Sequence, residues 1–129
     1  MIEHRLRPLL NPASIAVVGA SSRAGSVGNE VLINLLRGGY GGALYAVNPS
    51  HQEVDGIVCY RSLADLPKRP EHVIFAVSDQ RIEAVLDEVI ALGIPSCTIF
   101  SALVLARDSA PPLKQRVQAK IECAGLLVA

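Results

Sequence analysis

One segment of the sequence carries most of the groups that could bind an anion. Residues 19–28 read Gly-Ala-Ser-Ser-Arg-Ala-Gly-Ser-Val-Gly and lie between an apolar run at 14–18 and an amphipathic pattern at 27–37. Glycine allows a sharp turn and a close backbone approach, and unpaired amides at the start of a helix favour an anion. We therefore predict that this loop binds a diphosphate. Its predicted ligands are Gly19, Ser21, Ser22, Arg23, Gly25, Ser26 and Gly28.

A plain connection between strand and helix is the alternative for this loop. Such turns need about 2–6 residues, and the segment at 19–28 is longer and richer in hydrogen-bond donors. Its length and composition favour binding over a simple turn.

The glycine spacing and the end of the next apolar run bear on which nucleotide is bound. A nicotinamide dinucleotide domain usually has G-x-G-x-x-G and an acidic residue that closes the second strand. Here the glycines stand at 19, 25 and 28, and the second strand ends in Val47-Asn48-Pro49-Ser50-His51 without an acid. Asn48, Ser50 and His51 could accept an extra phosphate on the adenosine ribose. The pattern favours coenzyme A (CoA), with NADP as second choice.

The elements that position this loop follow from alternating strand and helix patterns. Short β-branched runs predict buried strands, and apolar residues at helical spacing predict the helices between them. The strands are expected at 14–18, 43–47, 72–77, 96–100 and from 126, with a short one at 57–59. The helices are expected at 27–37, from Asp79 as cap to Gly93, and after a start at Asp108-Ser109 with Pro111-Pro112 in the first turn. This alternation predicts a Rossmann-like three-layer α/β domain with a parallel sheet of about five strands in the order 3-2-1-4-5.

Composition excludes several classes of function. The chain has 129 residues, with 12 basic and 12 acidic side chains, so it lacks the basic excess of a nucleic-acid binder. No run is long enough to span a membrane, and the first residues lack the apolar stretch that is typical of a signal peptide. Cys59, Cys97 and Cys123 are widely spaced, which predicts buried reduced thiols and a cytoplasmic protein. The histidines show no metal-ligand spacing, and His72 is expected to be structural.

Several ordered motifs resemble a known family. They are Leu10-Asn-Pro-Ala-Ser-Ile-Ala-Val-Val-Gly-Ala-Ser21, Gly25-Ser-Val-Gly28, Tyr45-Ala-Val-Asn-Pro49 and Ser62-Leu-Ala-Asp-Leu-Pro67. Together they resemble the CoA-binding domain of the NDP-forming acyl-CoA synthetases, which are similar to the succinyl-CoA synthetase α subunit. The same domain opens some protein lysine acetyltransferases, and a stand-alone CoA-binding family shares it.

The resemblance implies a path for the whole cofactor. It implies that residues 21–27, Val27 included, hold the CoA phosphates and that Asn48, Pro49 and the next residues flank the adenosine. Val77, Ser78, Ser101 and Ala102 are expected to line the path of the pantetheine. The sequence departs from the family pattern at Ser50, Ser78 and Leu103, where Lys, Pro and Gly are usual. Leu103 is expected to narrow the pantetheine channel.

Residues 1–129 are expected to form one domain, the first of a larger protein, because the chain stops within an apolar run. Further domains or a partner subunit would then carry phosphoryl-transfer or acyltransferase chemistry. The parent is expected to be an acid–thiol ligase or an acyltransferase. We propose no catalytic residue in this chain. An NAD(P)-binding domain for redox chemistry and a non-enzymatic CoA-binding module remain alternatives, and a second copy of the chain is a candidate partner.

Overall fold

The fold is known from a computed structural model, which describes residues 7–101, 103–105 and 107–129. In chain order the elements are α1 (Arg7–Leu10), β1 (Ser14–Val18), α2 (Val27–Arg37), β2 (Ala43–Val47), β3 (Glu53–Val54), β4 (Ile57–Tyr60), a 3-10 helix (Leu63–Asp65), β5 (His72–Phe75), α3 (Asp79–Ala91), β6 (Ser96–Ile99), α4 (Leu113–Ala124) and β7 (Leu127–Val128). None of the helices within these ranges is long and apolar enough to cross a membrane.

The strands form one sheet with β1 at its centre, in the order β3-β4-β2-β1-β5-β6-β7. All neighbours pair in parallel except β3 and β4, which form an antiparallel hairpin. The α/β class and its parallel sheet are therefore confirmed. The order 3-2-1-4-5 with about five strands was wrong as numbered. The strand that begins at His72 pairs directly with β1, and the short strand β4 occupies the place beside β2.

Helices cover both faces of the sheet, which makes three layers. Side chains alternate along β1, so Ile15 and Val17 pack with Leu32 of α2 on one face. Ala16 and Val18 face the other side, in the core formed with α3 and α4. The chain leaves β1 toward β2 through α2, while β5 adjoins β1 on its other side. This arrangement makes the carboxyl end of β1 the switch point at which ligands bind in open α/β sheets.

Several local expectations need correction. Strands β5 and β6 end at Phe75 and Ile99, so Val77 and Phe100 lie in the loops that follow. Asp79 is the first residue of α3 and not its cap, because Ser78 occupies the cap position with extended backbone. α4 begins at Leu113 with Pro112 at its cap, so the two prolines precede the helix and do not lie in its first turn. Cys59 and Cys97 are buried as expected, but Cys123 is exposed on α4.

His72 is a buried structural residue at the start of β5, as predicted. Its Nδ1 lies 2.7 Å from Ser96 Oγ and its Nε2 lies 2.8 Å from Thr98 Oγ1. Burial lowers the pKa of His72 from 6.5 to about 4. The ring is therefore neutral at physiological pH and takes part in a hydrogen-bonded cluster on the edge of the sheet opposite the loop at 19–28.

Candidate functional site

A cleft of about 690 Å³ opens at the carboxyl edge of the sheet, where β1 meets β2 and β5. We call it the first cleft. Ten of the predicted site residues line it: Gly19, Ser21, Ser22, Arg23, Gly25, Ser26, Val27, Gly28, His51 and Val77. Ala76 and Phe100 complete the lining and were not predicted. The loop after β1 thus forms one wall, and the ends of β5 and β6 contribute the opposite side.

Gly19 and Gly28 allow the strand and the helix to approach each other closely. A Cβ atom on Gly28 would lie 2.0 Å from the carbonyl oxygen of Gly19. A Cβ atom on Gly19 would lie 2.2 Å from the carbonyl oxygen of Ala76, and Gly19 also has a φ of +92°. No side chain fits at either position without moving the backbone. These two glycines set the distance between β1, α2 and the end of β5.

Ser26 immediately precedes α2, and its hydroxyl group already makes two hydrogen bonds. Ser26 Oγ accepts a hydrogen bond from the Asn29 amide at 3.2 Å and donates one to the Arg23 carbonyl at 2.8 Å. The side chain was expected to be a donor to the ligand. It is instead an N-cap that closes the last turn of the loop onto the helix.

The side chains of Asn29 and Asn48 hold two carbonyl groups of the loop by hydrogen bonds. Asn29 Nδ2 donates to the Ser21 carbonyl at 2.8 Å, and Asn48 Nδ2 donates to the Ala20 carbonyl at 3.0 Å. Asn29 is buried, and its Nδ2 also donates to Asp55 Oδ2 at 2.9 Å. Asp55 lies in the two-residue turn between β3 and β4. The hairpin and the end of β2 therefore fix the shape of the loop.

The backbone amides of the loop divide into two groups. The Gly19 amide donates to the Val47 carbonyl, the Arg23 amide to Ser21 Oγ, and the Ser26 amide to the Arg23 carbonyl. Within the described part of the chain, the other amides along the cleft have no hydrogen-bond acceptor: those of Ser21, Ser22, Gly25, Val27 and Gly28. Because the carbonyls are tied back while these amides remain unpaired, the loop presents donors and the positive end of the α2 dipole to the cleft.

The side chains of Arg23 and Ser22 add to this electropositive wall. Both are exposed in the cleft, and neither has a hydrogen-bond or ion-pair partner among the described residues. The Ser21 hydroxyl accepts from the Arg23 amide and retains its own proton for donation. An anion of the size of a diphosphate could bind to this wall through amides, hydroxyls and one guanidinium.

The residues that follow β2 do not all line the same cleft. His51 lines the first cleft, whereas Pro49 lines a neighbouring cleft of about 280 Å³, which we call the second cleft. Asn48 is used internally, because its Oδ1 accepts from the Ser50 amide at 2.9 Å while its Nδ2 holds the loop. Ser50 is exposed and lines neither cleft.

Only some of the residues predicted to line the pantetheine path lie in the first cleft. Val77 lies in the first cleft, but Ser78 and Ser101 do not line it. Ser101 Oγ donates to Asp79 Oδ1 at 2.6 Å and accepts from the Leu103 amide at 2.8 Å, so it shapes its own loop. Ala102 lies outside the described residues. Leu103 has a φ of +58°, and its side chain packs against the core rather than in the first cleft.

Asn29, Asp55, Ala76 and Phe100 were missed from the sequence. The Asp55-Gly56 pair did carry a signal, because Asp-Gly between apolar runs favours a two-residue hairpin in which both residues have positive φ. The observed φ values are +49° and +83°. Nothing in the sequence pattern distinguished Asn29 from the other polar residues of its helix.

The described residues contain no group of three or more His, Cys, Asp or Glu side chains that could hold a metal ion. The thiol nearest the site is Cys59 on β4, whose Sγ lies 3.6 Å from the Asn48 carbonyl oxygen. Burial raises the pKa of the Cys59 thiol above its ordinary value. A protonated thiol directed at a backbone oxygen is a structural contact. The amides, hydroxyls and guanidinium that line the first cleft fit binding of an anionic ligand.

Comparison with known proteins finds relatives among ADP-forming CoA ligases. The chain is 35% identical over 97 residues to an ADP-forming acetate–CoA ligase (II) of Archaeoglobus fulgidus; the match covers 75% of this chain and 14% of the ligase. Among solved structures, it is similar to the dinucleotide forming acetyl-coenzyme A synthetase 1 of Ca. Korarchaeum cryptofilum in complex with phosphate and ADP, with a TM-score of 0.81, 28% identity and coverage of 95% of this chain and 26% of that one.

A much shorter protein is similar as well. A conserved hypothetical protein of Pyrococcus furiosus matches with a TM-score of 0.71 and 29% identity, over 89% of this chain and 90% of its own. The domain thus occurs both within long ligases and in chains of about its own length. Residues 13–129 match the sequence profile described as CoA binding domain. The chain therefore belongs to the CoA-binding domain family.

Proposed function

We propose that this domain binds coenzyme A or an acyl-CoA through the wall of the first cleft formed by residues 19–28. The observation that carries the proposal is the division of backbone groups in this loop. Asn29 and Asn48 hold carbonyl groups, while the amides of Ser21, Gly25 and Val27 have no acceptor among the described residues. Unpaired amides at the start of a helix bind phosphate groups in many nucleotide sites.

In this proposal the amides and Arg23 bind the diphosphate of CoA, and the remainder of the cofactor extends along the carboxyl edge of the sheet. Val77 and Phe100 form an apolar side of the first cleft, which suits the pantetheine arm. The domain holds and orients the cofactor, and no residue of this chain is assigned a catalytic step. CoA would supply the thiol that becomes the acyl thioester.

The parent activity is proposed from the relatives. The chain spans about one seventh of the ADP-forming acetate–CoA ligase that it matches, so we propose that the domain serves an ADP-forming acyl-CoA synthetase. Other domains or a partner subunit would carry the phosphoryl transfer. The short Pyrococcus furiosus protein supports a second candidate, a stand-alone CoA-binding module. An assay of the encoded full-length protein for acyl-CoA-dependent phosphorylation of ADP separates these two.

Calorimetric titration with CoA, acetyl-CoA, NADH and NADPH tests the proposal directly. CoA is expected to bind most tightly, and tighter binding of a nicotinamide nucleotide would overturn the proposal. Arg23→Glu is expected to weaken CoA binding at least tenfold, because a charge-assisted hydrogen bond contributes about 1.5–3 kcal/mol. Arg37→Glu is the matched control, because Arg37 is exposed at the far end of the same helix. It should leave the CoA affinity within about twofold of wild type.

A further inference from the structure

The second cleft lies beside the first at the same edge of the sheet. Its walls come from the ends of β1 and β2, from the residues after β4, and from the first turns of α3. The lining residues that matter here are Val18, Val47, Pro49, Arg61, Arg81 and Glu88.

The two clefts adjoin each other along the chain. Val18 of the second cleft immediately precedes Gly19 of the first. Pro49 of the second cleft lies two residues before His51 of the first. A ligand whose diphosphate occupies the first cleft therefore has its adenosine end within reach of the second, across the segment 48–51.

The second cleft combines an apolar floor with two cations. Val18 and Val47 are buried beneath the cleft, Pro49 and Ala84 offer exposed apolar surface to a planar base, and Arg61 and Arg81 line the same space of about 280 Å³. Neither guanidinium has a hydrogen-bond or ion-pair partner among the described residues.

One acidic residue, Glu88, also lines this cleft. Its Oε1 accepts a hydrogen bond from the Leu63 amide at 3.0 Å, so the carboxylate is held by the backbone rather than by either arginine. The charged side chains of the second cleft therefore sum to a net positive charge. An occupant with a planar base and at least one phosphate matches this composition.

The segment after β2 supplies no lysine or arginine of its own, since it reads Asn48-Pro49-Ser50-His51. A phosphate monoester on the ribose is a dianion at neutral pH and requires fixed positive charge when it is bound. In the second cleft the positive charge comes from Arg61 and Arg81.

We propose that Arg61 and Arg81 bind the 3′-phosphate of the CoA adenosine in the second cleft, so that the domain selects CoA over its 3′-dephospho form. This inference rests on the proposed function, because it assumes that the diphosphate is bound in the first cleft. It adds a site that determines specificity, separate from the loop at 19–28. Bidentate guanidinium–phosphate pairing is the chemistry involved.

The test compares CoA with 3′-dephospho-CoA by calorimetric titration of the wild type, Arg61→Gln, Arg81→Gln and the double variant. Wild type is expected to bind CoA at least tenfold more tightly than 3′-dephospho-CoA. The double variant is expected to bind CoA and 3′-dephospho-CoA within threefold of each other, with its affinity for 3′-dephospho-CoA within twofold of wild type. Arg37→Gln is the matched control and should keep the wild-type ratio. All three arginines are exposed, so the substitutions should not disturb folding.

The outcomes separate the two proposals. Equal binding of CoA and 3′-dephospho-CoA by the wild type overturns this inference and leaves CoA binding by the loop intact. A double variant that keeps the tenfold preference also overturns it. Failure of the wild type to bind either compound overturns the proposed function, and this inference with it.

Discussion

Replacing Gly28 by alanine tests whether the close approach of α2 to β1 creates the site. In an exposed helix, alanine is about 1 kcal/mol more favourable than glycine. Here the new Cβ would lie 2.0 Å from the Gly19 carbonyl oxygen, whereas carbon–oxygen contacts are ordinarily about 3.3 Å. The start of the helix must therefore move by about 1.3 Å. Because the obstacle is backbone, we place the cost at about 3 kcal/mol, the upper end for overpacking, and the net loss of stability at about 2 kcal/mol.

The same displacement acts on binding. A shift of about 1.3 Å takes an amide–phosphate hydrogen bond of about 2.9 Å beyond its effective range. Loss of one or two such bonds to a charged group is worth about 1.5–3 kcal/mol each. Gly28→Ala is therefore expected to weaken CoA binding by tenfold to more than a hundredfold, even where the variant remains folded.

Two other glycines serve as controls because the structure separates their constraints. Gly25 has a φ of +85°, but no atom of the described residues lies within 4 Å of an added Cβ. Gly25→Ala should lose only the roughly 1–2 kcal/mol of a left-handed residue. Gly41 has no positive φ, and the described part of the chain likewise leaves an added Cβ there without a neighbour within 4 Å. Gly41→Ala should stay within about 0.5 kcal/mol of wild type.

Urea unfolding and CoA calorimetry on the three variants provide the measurement. Gly41→Ala is expected to stay near wild-type stability, while Gly25→Ala and Gly28→Ala both lose stability. The largest loss of CoA affinity is expected at Gly28. A Gly28→Ala protein that unfolds at the wild-type urea concentration and binds CoA with wild-type affinity would refute a role for the close approach of α2 to β1.

Three further predictions concern residues around the site and the core. The pKa of His72 is lowered from 6.5 to about 4 in the folded protein. As the pH falls, the histidine therefore takes up a proton in the unfolded chain before it does so in the folded one. The free energy of unfolding should drop by about 2 kcal/mol between pH 7.5 and 5. Urea titrations at both pH values check this, and His72→Asn should lack that part of the slope. Asn29→Ala leaves the Ser21 carbonyl and Asp55 without the amide that donates to them. Urea unfolding should show a loss of about 1–3 kcal/mol in stability, and calorimetry should show weaker CoA binding. Unchanged stability and unchanged affinity would contradict the role given to Asn29. Leu103→Gly should be about 1 kcal/mol more stable than Leu103→Ala in thermal unfolding, because both lose the leucine packing but only glycine relieves the φ of +58°.

Local patterns predicted several elements to the residue. The β-branched run Ser14–Val18, the strand Ala43–Val47 and the helix Val27–Arg37 have the bounds expected from the sequence. In each case the signal is contained within the element, as a run of apolar residues or an amphipathic stripe with glycine or serine at its ends. Such signals depend on side chains and backbone preferences that the segment itself carries.

The predicted order of the strands was wrong because one short strand, β4, has a weak sequence pattern. β4 has only four residues, and Val58 on it is exposed, so its sequence resembles a loop as much as a buried strand. Once β4 is counted, it takes the place beside β2, and β5 falls on the other side of β1. The pairing is a long-range property, so the error in one short strand changed the numbering of the whole sheet. The Asp55-Gly56 turn would have revealed the hairpin.

The loop at 19–28 shows which part of a binding site a sequence can predict. Counting hydroxyl groups suggested that three serines would donate to the ligand, but Ser26 Oγ donates to the Arg23 carbonyl and caps the helix. Ser21 accepts from the Arg23 amide and keeps its own proton for donation. The groups left for an anion are mostly backbone amides. Every residue except proline has one, so residue types in the sequence do not show which amides are available. Their availability follows from Asn29 and Asn48, which hold the carbonyls on the other side of the loop. Ser26 therefore shapes the loop, while Asn29 and Asn48 hold two carbonyls so that backbone amides are left to line the cleft.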